Sequence, residues 1–314
     1  MDNKATPPRV TCAGFDVAVT PLVNTNEALW YGYDGFRDGK SVSLSAGHKQ
    51  YEGARALPEA LTWIRDLRVP VRDGVRLTAD VFLPADRENE KLPAIIMYSP
   101  FGKPPRGRSL TRGMPIFYRV GVPLDRTSGY EQFEGLDPAE WCPKGYAIVH
   151  PDARGVWDSE GVFRWNGIQE GEDVHDVIEW ASQQEWCNGK VAMAGNSWLV
   201  QSMWQGAALN PPHLTCIAPW EGFADYYRDT LCRGGIPSAN IWEHALTLWE
   251  GRGWAEDPFA MLKDYPLMNA YWESKRAPLH KINVPAYIKA SYSTGLHTYG
   301  TCRAWRELST EDKW

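Results

Sequence analysis

Val191-Ala192-Met193-Ala194-Gly195-Asn196-Ser197-Trp198-Leu199 is the stretch whose reading decides the fold. Val191 to Ala194 is a short apolar run of strand length, and the segment from Trp198 to Leu209 reads as a helix. A buried strand that passes straight into a helix is the building unit of a doubly wound α/β sheet. Downstream, Leu214 to Ala218 supplies the next strand. Upstream, Gly171 to Ala181 places Val174, Val177, Ile178 and Ala181 at i, i+3, i+4 and i+7, with acidic residues at the positive end of the dipole. That helix is expected to stop at Asn188-Gly189.

The alternation extends toward both termini. The continuous apolar runs Pro93 to Tyr98 and Tyr146 to His150 read as strands buried on both faces, hence parallel and central. Leu67 to Val71 and Val75 to Leu83 flank an Asp73-Gly74 turn and read as an antiparallel hairpin opening the sheet. Residues 1–60 show no clear period and are expected to form an irregular arm, leaving 61–314 as an α/β domain. From about 220 to 280 the pattern changes to helical segments rich in Tyr, Trp and Met, expected as an inserted helical cap. A strand at 285–290 and a helix near 302–308 follow.

With 314 residues, 43% of them hydrophobic and 23% charged, the chain can bury a core, which excludes disorder as its main state. A net charge of −6 without a basic run argues against nucleic acid or an anionic membrane as partner. Apolar runs such as Ala94 to Tyr98 are far too short to span a bilayer, and Met1 to Phe15 holds no secretory signal, so a cytoplasmic location is expected. Six scattered cysteines without a C-x-x-C read as reduced thiols. No metal or nucleotide motif is present, so no cofactor is expected. What remains is a small-molecule or short-peptide substrate; a homo-oligomer is compatible with all of this.

Ser197 stands where strand becomes helix. Such a turn lifts one side chain above the sheet edge, where helix amides favour developing negative charge. The G-x-S-x-G elbow is only half matched, because Leu199 occupies the second small position. From these residues alone a nucleophile and a plain helix-opening serine are both open.

The wider pattern resembles the CocE/NonD hydrolases, the α/β-hydrolase family of Xaa-Pro dipeptidyl-peptidases and cocaine esterase-like enzymes. The matches run from about Arg68 to Arg306. They include Val71-Arg72-Asp73-Gly74-Val75-Arg76-Leu77, Ser99-Pro100-Phe101-Gly102-Lys103, Asp152-Ala153-Arg154-Gly155, Trp186-Cys187-Asn188-Gly189 and Gly195-Asn196-Ser197-Trp198-Leu199. The resemblance implies an α/β-hydrolase fold, cleavage of an ester or amide through an acyl-enzyme, Ser197 as nucleophile and the Trp198 main-chain N–H as oxyanion donor. It implies departures as well. Phe101 replaces the tyrosine whose hydroxyl is the family's second oxyanion donor, Val200 stands where glycine is usual, and Ser293 occupies the acid position.

The family's base lies after a last strand that these residues do not include, and its C-terminal β-sandwich is missing too, so a chain truncated before the last strand is expected. Of seven histidines only His297 falls at the catalytic edge of the sheet, and it is the one candidate base. Phe101, Trp220 and Tyr226 are the candidate pocket residues, although most rings of the cap, Phe223, Tyr227 and Trp242 among them, should pack as core. Asp152 and Arg154 are expected to form an ion pair at the sheet edge. With base and acid both out of place, no histidine nitrogen is expected within about 3.5 Å of the Ser197 hydroxyl, and the isolated chain should be nearly inert. The alternative to a hydrolase is a catalytically incomplete fragment or pseudoenzyme that binds a ligand or partner in the old pocket.

Overall fold

The structure, a computed structural model, describes residues 6–23, 35–87, 90–103, 123–238 and 249–314. Its N-terminal strands are β1 (Val10–Cys12), β2 (Phe15–Val17), β3 (Val19–Pro21), β4 (Ser41–Leu44), β5 (Leu61–Pro70), β6 (Arg76–Pro84) and β7 (Leu92–Ile96). Then come α1 (Pro138–Trp141), β8 (Ala147–Asp152), β9 (Val162–Phe163), α2 (Ile168–Ser182), β10 (Cys187–Asn196), α3 (Trp198–Ala207) and β11 (Leu214–Trp220). The chain closes with β12 (Trp254–Glu256), α4 (Pro258–Asp264), α5 (Ala270–Glu273) and α6 (Thr298–Glu307).

Seven strands form the main sheet in the order β11-β10-β7-β8-β6-β5-β4. The pairs β11/β10, β10/β7 and β7/β8 are parallel, as their two-sided burial requires, and β6, β5 and β4 add antiparallel strands at the other edge. Central residues such as Ile96, Val149 and Val191 have no solvent exposure. The apolar stripe Val174, Val177, Ile178 and Ala181 of α2 is likewise fully buried. This is the mixed, mainly parallel sheet expected from the sequence.

Four local expectations change. The described part of residues 1–60 is not an irregular arm: β1 and β2 form a hairpin, β4 extends the main sheet and β3 joins a second sheet. That second sheet, β3-β12-β9, takes β12 from within 220–280, so this region is not purely helical. Asn188-Gly189 does not end a helix, because α2 stops at Ser182 and the pair lies inside β10. Residues 285–290 meet β11 only through the parallel bridges Ile217↔Ala286 and Trp220↔Lys289, without a continuous ladder. Trp242 and His244 lie outside the described residues.

Candidate active site

β10 delivers Ser197 to the carboxyl edge of the parallel strands. Its register runs Ala194↔Ala218, Gly195↔Pro219, Asn196↔Trp220, and the Ser197 N–H continues the ladder by donating to the Glu221 carbonyl at 2.9 Å. The turn into α3 forces Ser197 to φ 56°, ψ −114°, a strained conformation for a residue with a side chain. Ser197 is the N-cap residue of α3, but its hydroxyl is not spent on capping.

Two glycines make the elbow fit. A Cβ on Gly195 would lie 2.6 Å from Leu199 Cδ2, so the bulky Leu199 is tolerated because its neighbour has no side chain. A Cβ on Gly222 would lie 2.3 Å from Val200 Cγ1. The crowding expected from Val200 is thus relieved from the next strand.

Ser197 Oγ lies 3.3 Å from His297 Nε2. The expectation that no histidine nitrogen comes within hydrogen-bond reach is overturned. His297 immediately precedes α6, which packs across the segment following β11. Thr301 Oγ1 accepts from the Gly222 N–H at 3.0 Å and donates to the Gly222 carbonyl at 2.8 Å, while Arg303 pairs with Asp229 at 2.6 Å. These contacts pin the start of α6 against the elbow. Arg233 holds the preceding loop by donating to the Gly295 and Leu296 carbonyls at 2.6 and 3.3 Å.

His297 is 5% exposed, and burial followed by the nearby Arg233 charge pushes its pKa down to about 4. The ring is therefore neutral and able to accept a proton at neutral pH. Its Nδ1 has no hydrogen bond, but Glu221 Oε2 stands 3.9 Å away. Ser293, at the position where the resemblance places the acid, is exposed.

Trp198 packs its indole into the core. The ring nitrogen donates to Glu170 Oε1 at 2.7 Å, and the ring packs 5.0 Å from Trp165 and 5.2 Å from Trp249. Phe101 is buried between Phe133 at 4.8 Å and Trp249 at 5.0 Å. Tyr98 does not replace the hydroxyl that Phe101 lacks: its oxygen accepts from the Arg154 N–H at 3.1 Å. Tyr226 has no solvent exposure and lies 5.9 Å from Phe223, whereas Trp220 is half-buried at the end of β11. Asp152 and Arg154 do not pair with each other. Asp152 meets Lys103 at 3.1 Å and Arg154 meets Asp173 at 2.6 Å.

Two residues at the site escape the sequence reading. Glu221 follows β11, the strand beside the nucleophile's, and the end of that strand was a place to look. Glu134 sits in a loop with no periodic signal. Its carbonyl accepts from the Asn196 N–H at 3.0 Å and its Oε1 lies 3.3 Å from Asn196 Nδ2. Glu134 (φ 66°), Ser197 (φ 56°) and Glu221 (φ 55°) are all non-glycine residues at positive φ. Such strain gathers where structure is held for function.

A strand-to-helix serine at the carboxyl edge of a mainly parallel sheet defines an α/β-hydrolase fold. The sequence matches the X-Pro dipeptidyl-peptidase (S15) family over residues 73–252, and the chain belongs to that family. It is 31% identical to the cocaine esterase of Rhodococcus sp. (strain MB1 Bresler) over 163 residues, 52% of this chain and 24% of that protein. A CocE/NonD family hydrolase from Staphylococcus aureus superposes with a TM-score of 0.77 at 29% identity, covering 94% of this chain and 50% of that one. An α-amino acid ester hydrolase shares the fold at a TM-score of 0.55 and 17% identity, over 78% of this chain and 46% of that one. The chain thus spans about a quarter of the length of the cocaine esterase and half that of the staphylococcal hydrolase. Among the described residues no helix is long and apolar enough to cross a membrane, and no cluster of His, Cys, Asp and Glu is arranged to hold a metal ion.

Proposed function

We propose that this chain is a serine hydrolase that cleaves a small ester or amide, or a short peptide, through an acyl-enzyme on Ser197. The observation that carries this reading is the 3.3 Å contact between Ser197 Oγ and His297 Nε2 at a strained strand-to-helix turn. His297 accepts the hydroxyl proton as Oγ bonds to the carbonyl carbon, and the carbonyl electron pair moves onto oxygen, toward the Trp198 N–H. The imidazolium then gives that proton to the leaving group as its bond to carbon breaks. Water, deprotonated by the same imidazole, releases the acid and restores Ser197. Glu221, 3.9 Å from Nδ1, orients the ring and stabilises the imidazolium. Phe101 and Trp220 bound the acyl pocket from the two strand ends flanking the nucleophile, with Tyr226 supporting it from the core.

The test is hydrolysis of p-nitrophenyl acetate by the wild type, Ser197→Ala, His297→Ala and Glu221→Gln. Each of the two alanine variants is expected to reduce kcat by at least about 10³-fold, and loss of the ring-orienting carboxylate by up to about 10⁴-fold. Wild-type turnover no faster than that of Ser197→Ala would favour the second reading, a ligand-binding relative without catalysis, for which Phe101 and Ser293 at two of the family's functional positions speak.

A further inference from the structure

The oxyanion site has one main-chain donor, Trp198, and lacks the side-chain hydroxyl that Phe101 would have to provide. What stands beside it is a carboxyl group. Phe133 packs edge-on against Phe101 at 4.8 Å, and the residue after it, Glu134, holds Asn196 Nδ2 at 3.3 Å beside Ser197. The Asn196 N–H holds the Glu134 carbonyl at 3.0 Å, and the Leu136 N–H meets Met97 Sδ at 2.9 Å, which fixes the loop on both sides. Glu134 Oε2 is enclosed and has no hydrogen-bond partner, although the Ser197 hydroxyl and the Trp198 N–H lie close enough to favour its charged form. An unpartnered enclosed oxygen between the nucleophile and the oxyanion amide is a group waiting for a ligand atom.

We infer that Glu134, as the neutral acid, is the second oxyanion donor of this site: its Oε2–H points a hydrogen bond at the substrate's carbonyl oxygen opposite the Trp198 N–H. The inference rests on Ser197 being the nucleophile. No proton is transferred in this role; the O–H bond polarises as negative charge grows on the carbonyl oxygen. The neutral acid is the prevailing form near neutral pH. Burial raises the Glu134 pKa to about 8, against the opposing pull of Asn196, Ser197 and the Trp198 N–H, and the Glu221 carboxylate adds a like charge. His297 is bonded to the same Ser197 hydroxyl. An ionised Glu134 would repel the oxyanion and accept from the very donors the substrate needs, so one deprotonation both removes a donor and fills its place.

The experiment is p-nitrophenyl acetate hydrolysis from pH 4 to 10 by the wild type, Glu134→Gln and Glu134→Ala, with Ser197→Ala as baseline. Wild-type kcat/KM is expected to fall tenfold per pH unit above about 8. Glu134→Ala should lose about 10²–10³-fold in kcat with KM little moved, the scale of one oxyanion donor. Glu134→Gln, whose amide donates at every pH, should recover most of that loss and abolish the alkaline limb. If Ser197-dependent turnover is present but Glu134→Gln keeps the alkaline limb or falls as far as Glu134→Ala, the donor role is wrong while the nucleophile stands. If no turnover depends on Ser197, the inference falls together with the reading beneath it.

Discussion

Glu256 and Glu134 both carry carboxyl oxygens enclosed by protein, and they end in opposite charge states. Burial would raise the pKa of each. At Glu256 the Lys275 ammonium at 2.7 Å and the Arg164 guanidinium at 3.1 Å overcome burial and hold the pKa down to about 2. At Glu134 no cation compensates among the described residues, Glu221 adds a like charge, and the pKa rises to about 8. The first is a stabilised anion that ties α5 and its flank to β9 and β12; the second is an acid kept neutral beside the Ser197 hydroxyl. Burial alone does not mark a functional carboxyl; burial without a counter-charge, beside the strained Ser197, makes Glu134 a candidate.

The largest expected effect breaks the compensated site. Glu256→Ala strands Lys275, 2% exposed, without its partner and should destabilise the fold by about 3–5 kcal/mol in urea or thermal unfolding. The pH dependence has a definite sign: a folded pKa below the unfolded value means that the contribution of Glu256 is complete above pH 4.5 and lost as pH falls toward 2.

Next is the elbow itself. Gly222→Ala drives a Cβ into Val200 and should cost about 1–3 kcal/mol, with a loss of the proposed activity as Ser197 and His297 are displaced. The double variant Gly222→Ala, Val200→Gly should recover part of both, since the clash is with Val200 Cγ1 at 2.3 Å and Cβ at 2.5 Å. Recovery of neither would mean that Gly222 is needed for its backbone rather than its space.

The smallest effect sharpens the contrast from the other side. Because the folded pKa of Glu134 lies above its unfolded value, its ionisation costs stability as pH rises from 4.5 through 8. Glu134→Gln should therefore raise Tm relative to wild type at pH 8.5, and much less at pH 5. An equal change at both pH values would show that Glu134 is already ionised in the fold.

The sheet was legible because its signals are local. The Asp73-Gly74 hairpin, the two-sided apolar strands β7 and β8, the stripe of α2 and the strand–Ser197–helix unit are each written in contiguous residues. The three-stranded sheet was not, since β3, β9 and β12 are two or three residues long and β12 pairs with β3 and β9 from more than 200 and about 90 positions away. The same division runs through the site. Ser197 and Trp198 are visible in a motif, whereas His297 reaches Ser197 only because Thr301 and Arg303 dock α6 onto the chain after β11, and Glu134 only because Phe133 packs on Phe101. Tertiary contacts of that kind leave no spacing in the sequence.

The pairing of Ser197 with His297 is tested most directly by fluorophosphonate labelling followed by intact-mass analysis of the wild type, Ser197→Ala and His297→Ala. The proposed mechanism predicts a single adduct on Ser197 in the wild type, none in Ser197→Ala, and labelling at least about 100-fold slower in His297→Ala, the scale of a lost general base. Its rate should fall below pH 4, where His297 becomes protonated. Labelling of His297→Ala at the wild-type rate, or an adduct that survives in Ser197→Ala, would contradict it.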